Sequence, residues 1–129
     1  MKLVIELPGE PVPKGRPRFA KGHAYTPART AAYERALAWA AKAVMGNRKP
    51  LEGPLRLSVT AFMGIPQSWT MTRHLDALAG LIRPIGRPDA DNFLKVAADS
   101  CNSILYLDDS QIVTATVSKL YAATPALRV

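Results

Sequence analysis

The stretch Leu55-Arg-Leu-Ser-Val-Thr-Ala-Phe-Met63 has an apolar side chain at every second position. A period of two puts these side chains on one face of an extended chain, so the stretch predicts a half-buried β-strand. Further along the chain, Gln111 to Tyr121 alternates in the same way and predicts a second long strand. Towards the N-terminus, Lys2 to Leu7 predicts a third strand.

Three segments around these strands have a helical pattern, 27–45, 68–81 and 92–103. In the first segment, Thr30 is a candidate N-cap and Gly46 follows the last apolar position. The resulting order is strand, helix, strand, helix, helix, strand. It predicts a single α+β domain over residues 1–129, in which helices pack on a mixed sheet of about four strands.

Composition excludes several classes of protein. The chain has 129 residues, 48% of them apolar, which is enough for one domain with a real core. It has neither an apolar run long enough to span a membrane nor a signal-peptide pattern, so we expect a cytoplasmic protein without membrane contact. One cysteine and two histidines exclude an internal disulfide and make a Cys/His zinc site implausible.

Charge is distributed unevenly. The net charge is +7, and all of it comes from the first 50 residues, since acids and bases balance in the rest. Five of the ten acidic residues lie between positions 89 and 109. A basic part that attracts a polyanion, joined to an acidic patch that binds cations, fits this distribution.

The acidic patch begins with Arg87-Pro-Asp89-Ala-Asp91-Asn-Phe-Leu-Lys95-Val-Ala-Ala-Asp99. Asp89 and Asp91 are two residues apart, so their side chains point the same way if this segment is extended. Asp91, Lys95 and Asp99 have i, i+4, i+8 spacing, so they share one face if a helix begins near Asp91.

Asp108 and Asp109 follow in a predicted turn, one helix later. We expect a chain that runs down the helix and back along a strand to return them to the start of the helix. Clustered carboxylates repel one another unless a cation neutralises them, and Mg²⁺ prefers such oxygen ligands. Bound Mg²⁺ supports phosphodiester cleavage, and Lys95 is placed to orient the attacking water or to stabilise charge on phosphorus.

Each residue also has a simpler interpretation. Asp91 or Asn92 could cap the helix, and Asp108-Asp109-Ser110 could be an ordinary turn. Lys95 could be a surface partner of Asp91 and Asp99. The residues alone leave both interpretations open, although five acids and one lysine within 21 residues of a basic protein are hard to explain as caps.

A basic loop precedes the first helix. In Pro11-Val-Pro-Lys14-Gly-Arg16-Pro-Arg18-Phe19, prolines stiffen an extended strip that carries three cations. Such a strip can follow phosphates with little loss of entropy, and Lys21 continues it. A solvated loop is the alternative.

These motifs together resemble the RusA family of Holliday junction resolvases. The resemblance spans nearly the whole chain, in the same order and at compatible spacing. It is carried by Pro11 to Phe19, Tyr25-Thr-Pro27, Thr30, Tyr33-Glu34, Arg87 to Lys95, Asp99, Asn102, Asp108-Asp109-Ser110-Gln111-Ile112 and Lys119. The sequence departs from the family pattern at Arg87, where a lysine is common, and in the polar stretch 100–103.

The resemblance implies a small homodimeric endonuclease, often encoded by phages or prophages, that uses Mg²⁺ or Mn²⁺ to nick opposite strands of a four-way DNA junction in recombination and repair. It implies that Asp89, Asp91 and Asp109 are essential metal-site carboxylates, with Asp108 beside them and Lys95 as a catalytic helper. It also implies DNA contacts, which we assign to Lys14, Arg16, Arg18, Lys21 and Arg87.

Two other functions compete with this one. A DNA-binding protein without catalysis would keep the basic strip and use the acids as caps and turns. A metal-dependent nuclease could instead cut another branched DNA or RNA. Metal titration separates the first from a resolvase, and a panel of labelled substrates separates the second.

Overall fold

The computed structural model describes residues 2–15, 18–20, 22–25 and 27–129, with the backbone alone for residues 18–20 and 23–25. Its helices and strands, in chain order, are β1 (Glu6–Pro8), β2 (Arg18–Ala20), β3 (His23–Tyr25), α1 (Ala28–Met45), β4 (Leu55–Gly64), α2 (Met71–Leu78), α3 (Ala90–Cys101), β5 (Ile112–Ala122) and β6 (Ala126–Arg128). A 3₁₀ turn, Asp109–Gln111, leads directly into β5.

Strand β4 is the centre of a four-stranded mixed sheet with the order β1-β6-β4-β5. It pairs in parallel with β5, from Leu55 opposite Ile112 to Gly64 opposite Ala122, and antiparallel with β6. Strands β2 and β3 form a separate hairpin. The predicted α+β class with a mixed sheet of about four strands is therefore confirmed.

The core lies between the sheet and the helices α1 and α3. Alternate side chains of β4, namely those of Leu57, Val59 and Ala61, are buried, as the period of two predicts. They form one cluster with Leu37 of α1 and Phe93 of α3, both of which are fully buried. Burial of each large apolar side chain contributes about 1.5–3 kcal/mol, so this cluster fixes α3 on the sheet.

All three predicted helices are present, with shifted ends. Gly46 ends α1 with a φ of 56°, a conformation that glycine adopts without strain. Thr30 is not the N-cap, because α1 begins earlier, after Pro27. Thr30 is instead buried, and its hydroxyl accepts a hydrogen bond from the Gly15 N–H at 3.1 Å. A Cβ at residue 15 would lie 2.8 Å from that hydroxyl, which explains the glycine.

The strands differ more from the prediction than the helices do. The two long strands are confirmed within one residue at each end, but the predicted strand 2–7 is reduced to Glu6–Pro8. The short strands β2, β3 and β6 were not predicted. Each has three residues, which is too short for a period of two to be recognised.

Cys101 lies at the end of α3 with no exposed surface. Burial raises the pKa of its thiol to about 12, so the group stays protonated and unreactive at neutral pH. Among the helices in the described part of the chain, none is both long and apolar enough to cross a bilayer.

Lys14 connects the N-terminal segment to both helices. Its backbone N–H donates to the Asn92 carbonyl at 3.0 Å. Its ammonium donates to Glu34 of α1 at 2.6 Å and lies 3.2 Å from Asp99 of α3. Burial lowers the pKa of Lys14, but the hydrogen bonds and charges of the two carboxylates outweigh it and hold the pKa above 10.5. Lys14 is thus an internal link between the base of the basic loop and the helix pair.

Replacing Lys14 with methionine should lower the free energy of unfolding by about 1–3 kcal/mol, less than for a fully buried pair because the two carboxylates keep 24% and 31% exposure. Because the pKa of Lys14 is raised in the folded state, its contribution to the free energy of unfolding is complete below pH 10.5. That contribution is lost as the pH rises through the raised pKa. Urea unfolding at neutral and strongly alkaline pH measures both effects.

Lys49→Met is the matched control, since Lys49 is an exposed lysine in the loop after α1. It should leave the unfolding midpoint almost unchanged. Equal midpoints for Lys14→Met and Lys49→Met at neutral pH would contradict a stabilising role for the Lys14 cluster.

Candidate metal centre

Asp89 is the N-terminal boundary residue of α3, in an extended conformation with φ −71° and ψ 147°. Its carbonyl accepts a hydrogen bond from the Asn92 N–H at 3.1 Å. Its carboxylate makes no capping hydrogen bond and is exposed. Both carboxylate oxygens of Asp89 therefore remain available to a ligand.

Asp91 and Lys95 lie on α3, one turn apart, and both are exposed. Asp91 is in the first helical turn, where the helix dipole favours a negative charge. Among the described residues no ion pair joins Lys95 to Asp91 or to Asp99, and Asp99 pairs with Lys14. The interpretation of Lys95 as a surface ion-pair partner therefore has no support, and its ammonium is available for a phosphate or a water.

Asp108 and Asp109 lie at the 3₁₀ turn before β5, and both are exposed. The Asp108 carboxylate accepts a hydrogen bond from the Ser110 N–H at 3.1 Å. Hydrogen bonds from the Ser110 side chain and backbone lower the pKa of Asp108. Asp108 is therefore a turn-capping residue, as the simpler interpretation has it, and the turn favours its ionised form.

Gln111 holds this turn in place. Its side-chain oxygen accepts hydrogen bonds from the backbone N–H groups of Leu107 and Asp108. Its side-chain nitrogen donates to the carbonyls of Leu51 and Gly53, just before β4. One amide side chain thus attaches the aspartate turn to the sheet. No role for Gln111 was predicted from the sequence. The Asp108 to Gln111 spacing, an acidic residue followed three residues later by an amide, would have indicated a capping box.

The two carboxylate pairs lie near opposite ends of α3. Helix α3 has 12 residues and is about 18 Å long. Asp89 and Asp91 are at its N-terminus. Asp108 and Asp109 lie near its C-terminal half, where their charges reach the Tyr106 hydroxyl, which donates to the Ala98 carbonyl at 2.7 Å.

The expectation that a strand returns Asp108 and Asp109 to the helix start is therefore wrong for a single chain. The aspartates precede β5, so the strand runs back towards the start of α3 only after them. Within the described residues of one chain, no group of three or more His, Cys, Asp or Glu side chains is placed to hold a metal ion together.

The predicted DNA contacts have different outcomes. Lys14 is part of the internal ion cluster and is 17% exposed. Arg87 is exposed, two residues before Asp89. Arg16 and Lys21 lie outside the described residues, and for Arg18 only the backbone, in β2, is described. DNA contact by these five residues stays a prediction.

Lys119 of β5 contacts the segment that carries Asp89. Its ammonium donates to the Gly86 carbonyl at 2.7 Å and to the Pro88 carbonyl at 2.9 Å. No role for this lysine was predicted from the sequence, and no local pattern could have indicated one, because more than 30 residues separate it from its partners.

Comparison with known proteins agrees with these features. The model of the family described as "Endodeoxyribonuclease RusA" matches residues 8–129. The chain is also 34% identical over 130 residues to the uncharacterized protein YqaN of Bacillus subtilis strain 168, covering 94% of this chain and 89% of the relative. Since the family match includes both aspartate pairs, Lys95, Gln111 and Lys119, this chain belongs to the RusA family of endodeoxyribonucleases.

Proposed function

We propose that this protein is a Mg²⁺- or Mn²⁺-dependent endonuclease that resolves four-way DNA junctions by paired nicks, and that it acts as a homodimer. Family membership supports the nuclease activity on junctions. The observation that carries the site is the start of α3. There the carboxylate of Asp89 makes no capping hydrogen bond, and the exposed Asp91 lies one turn before Lys95, which forms no ion pair with a described residue.

The donor atoms suit a hard divalent cation. Asp89, Asp91, Asp108 and Asp109 offer only oxygen ligands, as Mg²⁺ and Mn²⁺ prefer, and the Cys101 thiol is buried and protonated. A bound ion would supply an activated water and charge stabilisation at phosphorus. Lys95 would orient that water or donate to the phosphate oxygens.

The separation of the two carboxylate pairs supports a dimeric site. Within the described residues of one chain, the four aspartates do not form a group that could hold one ion together. In a two-fold dimer, a contact between one surface of the first protomer and a second surface of its partner occurs twice, because the partner's first surface meets the second surface of the first protomer in the same way. We therefore place Asp89 and Asp91 of one protomer beside the second aspartate pair of its partner, which gives two equivalent sites for two nicks.

Two groups of exposed apolar side chains support the proposed dimer. One surface is on α2 and the loop after it, with exposed fractions of 72% for Met71, 77% for Leu81 and 97% for Ile85. It is near the end of β5, because Trp69 packs edge-on against Tyr121 with ring centroids 5.2 Å apart.

The other surface contains Leu107 and Val113, 62% and 69% exposed, on either side of the 3₁₀ turn. It lies beside Asp108 and Asp109, whereas the α2 surface lies at the Asp89 end of α3. Burial of exposed apolar surface favours association. Contact between the two surfaces would draw the two aspartate pairs of different protomers together.

Asp91→Asn should abolish junction cleavage with Mg²⁺ while junction binding survives, because the change removes a metal ligand and a negative charge near the DNA. Cleavage of a labelled junction and a gel-shift titration measure the two effects. Glu52→Gln, which neutralises an exposed acid in the loop before β4, is the control and should cut at the wild-type rate.

Wild-type cleavage by Asp91→Asn would remove Asp91 from the site. Equal cleavage of linear duplex, RNA and junction by the wild type would support a broader nuclease instead. Absence of a specific Mn²⁺ site in calorimetry of the wild-type protein would support a DNA-binding protein without catalysis.

Mixing two inactive variants tests the shared site. Asp91→Asn and Asp109→Asn should each be inactive alone. A mixed dimer would carry both substitutions in one site and neither in the other. Since about half of the dimers in an equal mixture are mixed, about a quarter of all sites should be intact. Each mixed dimer should nick only one strand of a junction. Nicking by the mixture, compared with each variant after subunit exchange, is the measurement. No recovery despite exchange, verified with tagged protomers, would contradict a site shared between protomers.

A further inference from the structure

We infer that Lys119 is a positioning residue. It binds the backbone just before Asp89 and thereby determines where the Asp89 carboxylate lies. The inference rests on the proposed role of Asp89 as a metal ligand. The ammonium of Lys119 donates to the carbonyls of Gly86 and Pro88 and not to the Asp89 carboxylate, so it acts on Asp89 through the backbone.

Most of the hydrogen-bonding capacity of the Lys119 ammonium is used by these two carbonyls. A lysine ammonium has three N–H donors, and two of them are used at 2.7 Å and 2.9 Å. The two acceptors flank Arg87, and Pro88 directly precedes Asp89. The ammonium therefore joins both sides of a three-residue stretch and fixes the direction in which the chain enters α3.

The segment before Asp89 has little else to hold it. In the described part of the chain, no backbone N–H or carbonyl of residues 83–88 bonds to another backbone group. Pro84, Gly86 and Pro88 also limit its capacity for regular structure. Without Lys119, the carbonyls of Gly86 and Pro88 would have no hydrogen-bond partner among the described residues.

Lys119 is itself well fixed. It lies opposite Ala61 in the long parallel pairing of β4 and β5, and Ala61 is completely buried in the core. The hydrogen bonds of Lys119 therefore hold the loop at a constant position relative to the central strand β4. Residues that orient metal ligands through hydrogen bonds change metal affinity by about 10–100-fold when they are removed.

The test is Mn²⁺ affinity, measured by calorimetry on the intact protein without DNA. Lys119→Met removes the donors and keeps the aliphatic stem, and it should weaken Mn²⁺ binding about tenfold or more. Lys119→Arg keeps several donors and should retain most of the affinity. Lys49→Met, at an exposed lysine, should bind Mn²⁺ like the wild type.

Two further measurements separate positioning from other roles. Junction affinity without divalent cations should stay within about twofold of the wild type, since Lys119 makes no phosphate contact in the proposal. In an Asp89→Asn background, Lys119→Met should cause no further loss of Mn²⁺ affinity, because the two residues act in one chain of contacts. If Lys119→Met does not fold, Lys119→Gln replaces it, with the same expected direction.

Each contrary outcome has a distinct meaning. If Asp89→Asn binds Mn²⁺ more weakly than the wild type while Lys119→Met binds it normally, only the role of Lys119 is overturned. Normal Mn²⁺ binding by Asp89→Asn would overturn the metal role of Asp89 and the role of Lys119 with it. Additive losses in the double variant, or a large loss of metal-free junction binding, would mean that Lys119 acts directly and not through Asp89.

Discussion

The parallel pairing of β4 with β5 is the constraint on which the rest of this structure depends. Parallel neighbours cannot be joined by a tight turn, so the chain must cross from the end of β4 to the start of β5. The crossover contains α2 and α3, and α3 therefore runs opposite to both strands. This direction puts the start of α3 beside the end of β5, and the turn before β5 beside the end of α3.

The same strand connects both parts of the candidate site. Gln111 fixes the aspartate turn at the beginning of β5, and Lys119 holds the segment of Asp89 near its end. Because the strand is hydrogen-bonded to β4 along its length, the distance between these two attachments cannot change easily. In the proposed shared site, this rigid strand would keep the two aspartate pairs of each protomer at a constant separation, so that both sites of a symmetric dimer would have the same geometry.

The sequence predicted the long elements because their periodicity reflects burial directly, as in the buried alternate residues of β4. It also led to the proposed residues of the candidate site, since carboxylates and a lysine at helical spacing have a recognisable chemistry. It could not predict where Thr30, Lys14 and Lys119 make their contacts. Each contact joins residues at least 15 positions apart, so it depends on tertiary packing and leaves no local pattern.

The buried thiol of Cys101 has a practical consequence. It is the one cysteine of the chain, and it is inaccessible and protonated at neutral pH. Maleimide reagents attack exposed thiolates, so they should leave the folded protein untouched. A cysteine introduced at an exposed position would then be the sole reactive group, and spin labels or fluorophores could be attached there without first removing a residue from the core.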